Sequence, residues 1–176
     1  SLELQLANVL GAKGLLDAVI ASSGTQSDAF WRLRETIPEA QNRAGGCIKH
    51  DISVPISKVS EFIDHATKHA KKSIKDVRVI AFGHIGDGNI HFNLTQPTEK
   101  SADEFLAHTD NLCSEIHDIA MNLGGSFSAE HGIGILKKPE LERYKSAVEK
   151  DLMALIKDTI DPKNIMNPGK VVTPKN

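Results

Sequence analysis

Cysteine, aromatic residues and any surplus of charge are all scarce in this sequence. Its two cysteines, Cys47 and Cys113, lie far apart and form no CxxC pair, so neither a disulfide framework nor a thiolate zinc site is expected. Aromatic residues make up 5%, with one Trp and one Tyr, too few for a platform on which nucleic-acid bases stack. Lys and Arg number 21 against 23 Asp and Glu, a formal net charge of −2, which leaves no electrostatic footprint for nucleic acid or an anionic membrane. There is no apolar run of about 18 residues to cross a bilayer, and no charged-then-apolar leader opens the chain. No GxGxxG follows a strand into a helix and no GxxxxGK[ST] occurs, so a nicotinamide or ATP site is not expected. These absences point to a globular protein of a reducing compartment. Cytoplasmic placement is the expectation, with an organelle or a membrane surface as the alternatives.

What is present is an ordinary core: 40% hydrophobic residues in a chain of 176 predict one globular domain. The opening, Ser1-Leu2-Glu3-Leu4-Gln5-Leu6, starts mid-pattern without an initiator Met, and we expect the chain to be part of a longer one. From Leu2 to Ile20 the apolar residues are compatible with a helix interrupted by Gly11 and Gly14. A helix is expected from about Ser27, with Phe30, Leu33 and Ile37 on one face and Trp31 and Arg34 together on another; Pro38 kinks or restarts it.

From Gly46 the period becomes two. Ile48, His50, Ile52 and Val54 alternate with Cys47, Lys49, Asp51 and Ser53 up to Pro55, a strand with Lys49 on its more polar face. Ser57 is placed to cap a helix whose Val59, Phe62, Ile63, Ala66, Ala70 and Ile74 share a face, with Lys68, Lys71, Lys72 and Lys75 solvated. Two strands, Val77 to Ile85 and Ile90 to Gln96, flank Gly86-Asp87-Gly88-Asn89. Ser101 and Glu104 form a capping box for one long helix carrying Phe105, Leu112, Ile116 and Ala120 and ended by Gly124-Gly125. Ser126 to Ala129 reads as a short strand, and Pro139 starts a helical turn. Ser146 and Glu149 cap a last helix using Val148, Leu152, Leu155, Ile156 and Ile160. Residues 161–176 are expected as an extended surface tail. The pattern predicts an α+β fold, an antiparallel or mixed sheet with helices packed on one face.

The hairpin implies a register. With Asp87 and Gly88 as the turn residues, Ile85 faces Ile90, His84 faces His91 and Phe82 faces Asn93. One face then collects Val79, Ala81, Ile85, Ile90, Phe92 and Leu94 as core. The other sets His84 and His91 side by side, with Asn93 next along. Directly opposed Cβ atoms lie roughly 5 Å apart, a separation from which two imidazoles converge on one divalent cation. Glu130-His131, in a glycine-rich loop, is a candidate source of the missing carboxylate and of a further imidazole; Glu130 reads equally well as the partner of a lysine or a backbone N–H. Arg34, with its planar fork, and Lys49, a point charge, are candidate anion contacts, each otherwise an ordinary solvated cation. His50, His65, His69, His108 and His117 read as structural or exposed.

Three segments in order resemble a known family: Gly83-His84-Ile85-Gly86-Asp87-Gly88-Asn89-Ile90-His91, Ser126-Phe127-Ser128-Ala129-Glu130-His131-Gly132-Ile133-Gly134, and Asp161-Pro162 through Asn167-Pro168-Gly169-Lys170. With Trp31-Arg32-Leu33-Arg34 and Lys49-His50-Asp51-Ile52-Ser53-Val54-Pro55, they are similar to the C-terminal domain of the FAD-linked oxidases. These vanillyl-alcohol-oxidase-like flavoproteins include D-lactate dehydrogenases, glycolate oxidase subunits and D-2-hydroxyglutarate dehydrogenases. The resemblance implies an antiparallel, ferredoxin-like sheet that covers a flavin bound by a separate N-terminal domain. Residues 1–176 would then be the C-terminal domain alone, inactive by itself, with the 161–176 tail returning towards the flavin domain.

The resemblance also implies roles. His84, His91 and Glu130 would be ligands of a divalent zinc, manganese or iron ion, and His131 the base. Arg34, Lys49 and Asn93 would contact substrate, while Asn167 and Lys170 would face the FAD cofactor. The implied reaction oxidises a small D-2-hydroxy acid, such as D-lactate, glycolate or D-2-hydroxyglutarate, to the 2-keto acid, with hydride passing to FAD. The implied partners are this substrate, the N-terminal FAD domain and an electron acceptor; no nucleic acid is expected, and a homo-oligomer is left open. Read without the resemblance, two histidines and a carboxylate also suit a stand-alone metal-dependent hydrolase, and the fold alone suits a binding or assembly module without metal.

Overall fold

The computed structural model describes residues 8, 19–84 and 86–174. The helix expected between Leu2 and Ile20 falls almost wholly outside them, as does Ile85. The chain divides into two compact units, residues 1–43 and 44–176, so the single core expected from length belongs to the second unit. In the first, α1 (Gly24–Glu35) begins earlier than expected because Ser23, rather than Ser27, supplies the cap: its side chain accepts the Gln26 N–H. Arg32 and Arg34 fall in the last turn of α1, where they offset the negative end of the helix dipole. Helix α2 (Ile37–Arg43) restarts at Pro38, whose fixed φ suits a first turn.

The second unit runs β1 (Cys47–Ser53), a 3-10 turn (Ile56–Lys58), α3 (Val59–Ser73), β2 (Arg78–His84), β3 (Asn89–Thr95), α4 (Ala102–Leu106), α5 (Thr109–Asn122), α6 (Lys138–Tyr144) and α7 (Ala147–Ile160). Its sheet is antiparallel in the order β1-β3-β2, the α+β arrangement expected. Strand, helix, hairpin and helix in this order follow the ferredoxin-like path. Where a fourth strand would pair, on the outer edge of β1, there is a single bridge between Ser53 and Ser126. The short strand expected over Ser126 to Ala129 is therefore reduced to one pairing. The Ser126 hydroxyl turns back to the Ser128 carbonyl at 2.9 Å and bends the chain out of the ladder.

Period-two alternation places Ile48 and Ile52 of β1 and Ile90, Phe92 and Leu94 of β3 on one face. Phe62, Ala66 and Ala70 of α3 and Leu112, Ile116 and Ala120 of α5 close over them. Phe62 meets Phe92 edge to face, centroids 5.5 Å apart. Three expectations need correction. Ser57 lies inside the 3-10 turn and caps nothing, and Lys58, at the N-cap of α3, makes no capping bond, its ammonium going instead to Glu61 at 2.7 Å. The long helix after Ser101 is two helices, because the Thr109 hydroxyl takes the Leu106 carbonyl at 2.6 Å; the capping box of α4 itself is intact. Helix α7 also keeps its Ser146–Glu149 box, but Val148, Leu152, Leu155, Ile156 and Ile160 are 53 to 69% exposed and it buries only Ala154. Helical spacing says which residues share a face, not what covers it.

Residues 162–174 lie largely on the surface without helix or strand, but turns anchored on the buried Asp161 fold them rather than leaving them extended. Asp161 accepts the N–H groups of Ile165 and Met166, each at 2.9 Å, and Val171 N–H donates to Gly134 O at 2.8 Å. No helix among the described residues is long and apolar enough to cross a membrane.

Behind the sheet, His50 and His117 are buried edge to face, ring centroids 5.6 Å apart. His50 Nδ1–H donates to Phe92 O at 2.6 Å, while His50 Nε2 and His117 Nδ1 have no hydrogen-bond partner. Burial pulls both imidazoles from 6.5 down to about 4, with the Lys137 charge adding to the effect. The unfolded chain therefore binds more protons between pH 6.5 and 4, and stability falls as pH drops through that window, by roughly 3 kcal/mol per ring at most. Urea denaturation from pH 7 to pH 4.5 should show this loss. His117→Leu should remove about half of the slope, and an unchanged slope would assign the acid sensitivity to other groups.

Candidate metal and substrate site

Between β2 and β3 residues 86–88 form a turn, and the register it sets lies two residues from the one expected. His84 pairs with Asn89, and Phe82 with His91. Gly88 N–H closes the loop on His84 O at 3.0 Å, and the Asp87 carboxylate accepts the Asn89 N–H at 3.0 Å. Gly88 O accepts the Val54 N–H at 3.1 Å, which docks the loop on the end of β1. At Gly88, φ is +75° and a Cβ would lie 2.0 Å from Val54 O, so glycine is required. A two-residue slip preserves the faces. His84 and His91 thus share the polar face as expected, but as diagonal neighbours, roughly 7 Å apart at Cβ, rather than opposed. The ring that packs on His91 is Phe82, at 5.0 Å between centroids.

Three rows cross this face: Lys49–Asn93–Ile80, Asp51–His91–Phe82 and Ser53–Asn89–His84. The loop after α5 is laid against the same edge. A Cβ on Gly125 would sit 2.1 Å from Ser53 O, so the backbones touch there, and Ser53 and Ser126 exchange N–H···O bonds of 3.0 and 2.8 Å. Further on, Ala129 N–H donates to Asp51 O at 3.2 Å. Glu130 N–H and His131 N–H both reach Asp51 Oδ2, at 3.1 and 2.8 Å. Lys137 Nζ donates to Phe127 O and Ser128 Oγ, each at 3.1 Å, and stands 3.6 Å from Asp51 Oδ2.

These contacts gather four titratable side chains around His91. Glu130 bridges the imidazoles that the register separates: Oε1 is 3.3 Å from His84 Nδ1 and Oε2 is 3.7 Å from His91 Nε2. On the other side, Asp51 stands 4.0 Å from His91 Nδ1 and 3.7 Å from His131 Nδ1, and the His91 and His131 rings stack at 5.9 Å. Among the described residues, Asp51, His91 and His131 form the group whose ligand atoms all lie within 4.8 Å of one another. Asp51 was not among the site residues expected from sequence. It reads there as one polar position in an alternating strand, and only its place in the Lys49-to-Pro55 segment hinted at more.

Burial pushes the Asp51 carboxyl up, but the His131 and Glu130 N–H groups and the nearby His131 and Lys137 charges outweigh it and hold the group below the usual carboxylate range. Burial pulls Lys137 below an ordinary lysine, and Asp51 opposes this. Burial, with the charges of Glu140 and Asp110, pushes the Cys113 thiol to about 11, and burial also raises Cys47, so neither is a thiolate nucleophile.

Of the remaining expected residues, Asn93 is buried beside His91 and its amide oxygen accepts the His50 N–H at 3.3 Å. Lys49 is exposed and lies opposite Asn93. Arg34 is half-buried on α1, in the first unit. Asn167 and Lys170 are exposed and sit outside the histidine cluster, on a groove of about 380 Å³ between α7 and the tail, with Ile156, Ile160 and Met166.

Residues 1–171 match the family described as FAD linked oxidases, C-terminal domain. The chain is similar to a D-2-hydroxyglutarate dehydrogenase of Xanthomonas citri pv. viticola, 41% identical over 155 residues, 88% of this chain and 33% of that protein. It is similar to one of Stutzerimonas stutzeri, 36% identical over 157 residues, 89% and 34% of the two chains. The mitochondrial D-2-hydroxyglutarate dehydrogenase of Danio rerio is 33% identical over 167 residues, 95% of this chain and 30% of its own length. The chain thus spans about a third of the length of these relatives.

Docking of Gly88 on the end of β1 gives a direct test of how His84 is placed. Gly88→Ala introduces both a left-handed φ and a clash with Val54 O, and should cost about 2 kcal/mol or more. Thermal unfolding should register the loss, and the His84 ring signals in NMR spectra should shift while those of His69 stay put.

Proposed function

Because this chain belongs to the family of FAD linked oxidases, C-terminal domain, we propose that it is the substrate- and metal-holding part of an FAD-dependent dehydrogenase that oxidises a small D-2-hydroxy acid to the 2-keto acid. The names of its relatives favour D-2-hydroxyglutarate over D-lactate or glycolate. The observation that carries this reading is the Glu130 carboxylate, set 3.3 Å from His84 Nδ1 and 3.7 Å from His91 Nε2. Two imidazoles and a carboxylate suit a divalent zinc, manganese or iron ion and leave coordination positions for a ligand. Asn89 Oδ1, in the same row as His84, adds a buried acceptor with no hydrogen-bond partner to this face. His84, His91 and Glu130 would hold the ion, which would supply acidification of an alcohol, and the FAD of the companion domain would supply the hydride acceptor.

The chain's own residues bind, orient and move the proton. His131, its side chain 66% exposed, takes the substrate hydroxyl proton on a ring nitrogen, since an imidazole lone pair open to the face is placed to accept it. Lys49 offers the substrate carboxylate a point charge from the neighbouring row and Asn93 offers an amide; Arg34, in the other unit, is a candidate anion contact by its bidentate fork. Asn167 and Lys170 face the flavin domain. The partners in this reading are the hydroxy acid, that domain and an electron acceptor. Family membership favours it over a stand-alone hydrolase. We place the protein in the cytoplasm, with an organelle as the alternative, since several relatives are named as mitochondrial.

Two variants of the full-length flavoprotein carrying this domain separate the roles. Glu130→Gln should lower bound metal roughly tenfold or more, and turnover with it. His131→Ala should lower kcat by roughly 10²- to 10⁴-fold and leave metal content unchanged. Elemental analysis beside kcat for D-2-hydroxyglutarate reads both. Wild-type turnover in the His131 variant would remove that residue from its role, and an active enzyme free of metal would remove the ion.

A further inference from the structure

The residue on which this site's geometry converges is none of those expected from sequence. We propose that Asp51 is a positioning residue: one buried carboxylate that fixes the backbone of Glu130 and His131 and orients the rings of His91 and His131, without itself binding the metal. The proposal deepens the reading above and rests on it for the identity of the ligands; the hydrogen bonds that hold the loop stand apart from it.

Its oxygens are already committed. Oδ2 accepts the His131 N–H at 2.8 Å and the Glu130 N–H at 3.1 Å, and Lys137 Nζ stands 3.6 Å away. Oδ1 is 3.3 Å from the Glu130 N–H and 4.0 Å from His91 Nδ1. With 3% of Asp51 exposed, a cation reaching it would displace donors that nothing else in the loop replaces. Glu130 is the opposite case: its side chain is 41% exposed, and the partners facing its oxygens are two imidazoles. Glu130 therefore faces the ion and Asp51 stands behind it.

Position explains the rest. Asp51 lies directly across from His91 on β3, and its backbone carbonyl takes the Ala129 N–H, so three successive N–H groups of the loop end on one residue. Both Nδ1 atoms, of His91 and of His131, are the ring atoms turned towards its carboxylate. A negative charge there favours the tautomer protonated at Nδ1 and leaves the Nε2 lone pair available. For His91, Nε2 is the atom that faces Glu130. An asparagine keeps the shape but offers one acceptor oxygen, and its amide N–H groups would oppose one of the loop donors.

The test uses the chain itself, Zn²⁺ as probe, and Asp51→Asn beside Ser128→Ala, which removes a loop tie that does not involve Asp51. By titration calorimetry, D51N should bind Zn²⁺ roughly 10- to 100-fold more weakly and S128A within about threefold of wild type. By NMR, the Glu130 and His131 amides of D51N should exchange at least about tenfold faster while Phe92 and Leu94 keep their protection. The ¹⁵N ring shifts of His91 should move from the Nδ1–H form to a mixture. Equal Zn²⁺ affinity in D51N and wild type, or an equal loss in S128A, overturns the proposal. Absence of Zn²⁺ binding by the wild type would sink the metal reading, leaving amide exchange and ring shifts to decide on Asp51. If D51N does not fold, the wild-type spectrum decides: slow Glu130 and His131 amides support the tie, and exchange as fast as at Gly132 overturns it.

Discussion

A carboxylate removed from water costs several kcal/mol unless donors surround it, and in this chain that demand is met by bringing a distant loop to the edge of a strand. Asp51 takes up the N–H groups of Glu130 and His131, and Lys137 stands beside it while also holding Phe127 and Ser128. Folding of the sheet and assembly of the site are therefore one event. The loop has no regular structure of its own to hold Glu130 where it meets His84 and His91.

The two faces of the sheet divide the labour. Ile48, Ile52, Ile90, Phe92 and Leu94 lie on the side covered by α3 and α5, and there the polar exceptions are His50 and its neighbour His117. The opposite side carries Lys49, Asp51, Asn89, His91, Asn93 and His84, a run of polar groups too dense to be mere solvation. Because side chains alternate strictly, every apolar residue that anchors the core also sets the direction of a chemical one next to it. The rigidity of the site is borrowed from the packing behind it.

Much of this was legible in the amino acids. Alternation from Cys47 to Val54 gave both faces of β1, and the parity of His84 and His91 put them on one side of the hairpin even though the register was read two residues out. The two-residue difference arises because the docking of Gly88 on Val54 demands a longer loop than an Asp87-Gly88 two-residue turn. Such a contact is tertiary, and no local pattern encodes it. Asp51 was missed for a related reason: an aspartate in an alternating strand reads as facing solvent, and only the return of residues 125–131 covers it. The capping boxes at Ser101 and Ser146 were readable because they are local, whereas the outward turn of the apolar side of α7 was not.

The stitch between Ser53 and Ser126 has one further consequence. Together with the Ala129, Glu130 and His131 N–H groups that end on Asp51, it pins residues 126–131 to β1 at both ends instead of leaving them a lid laid over the strand. On heating, such a segment has no softening step of its own. Disappearance of the chemistry and collapse of the tertiary fold would then coincide in a single cooperative transition.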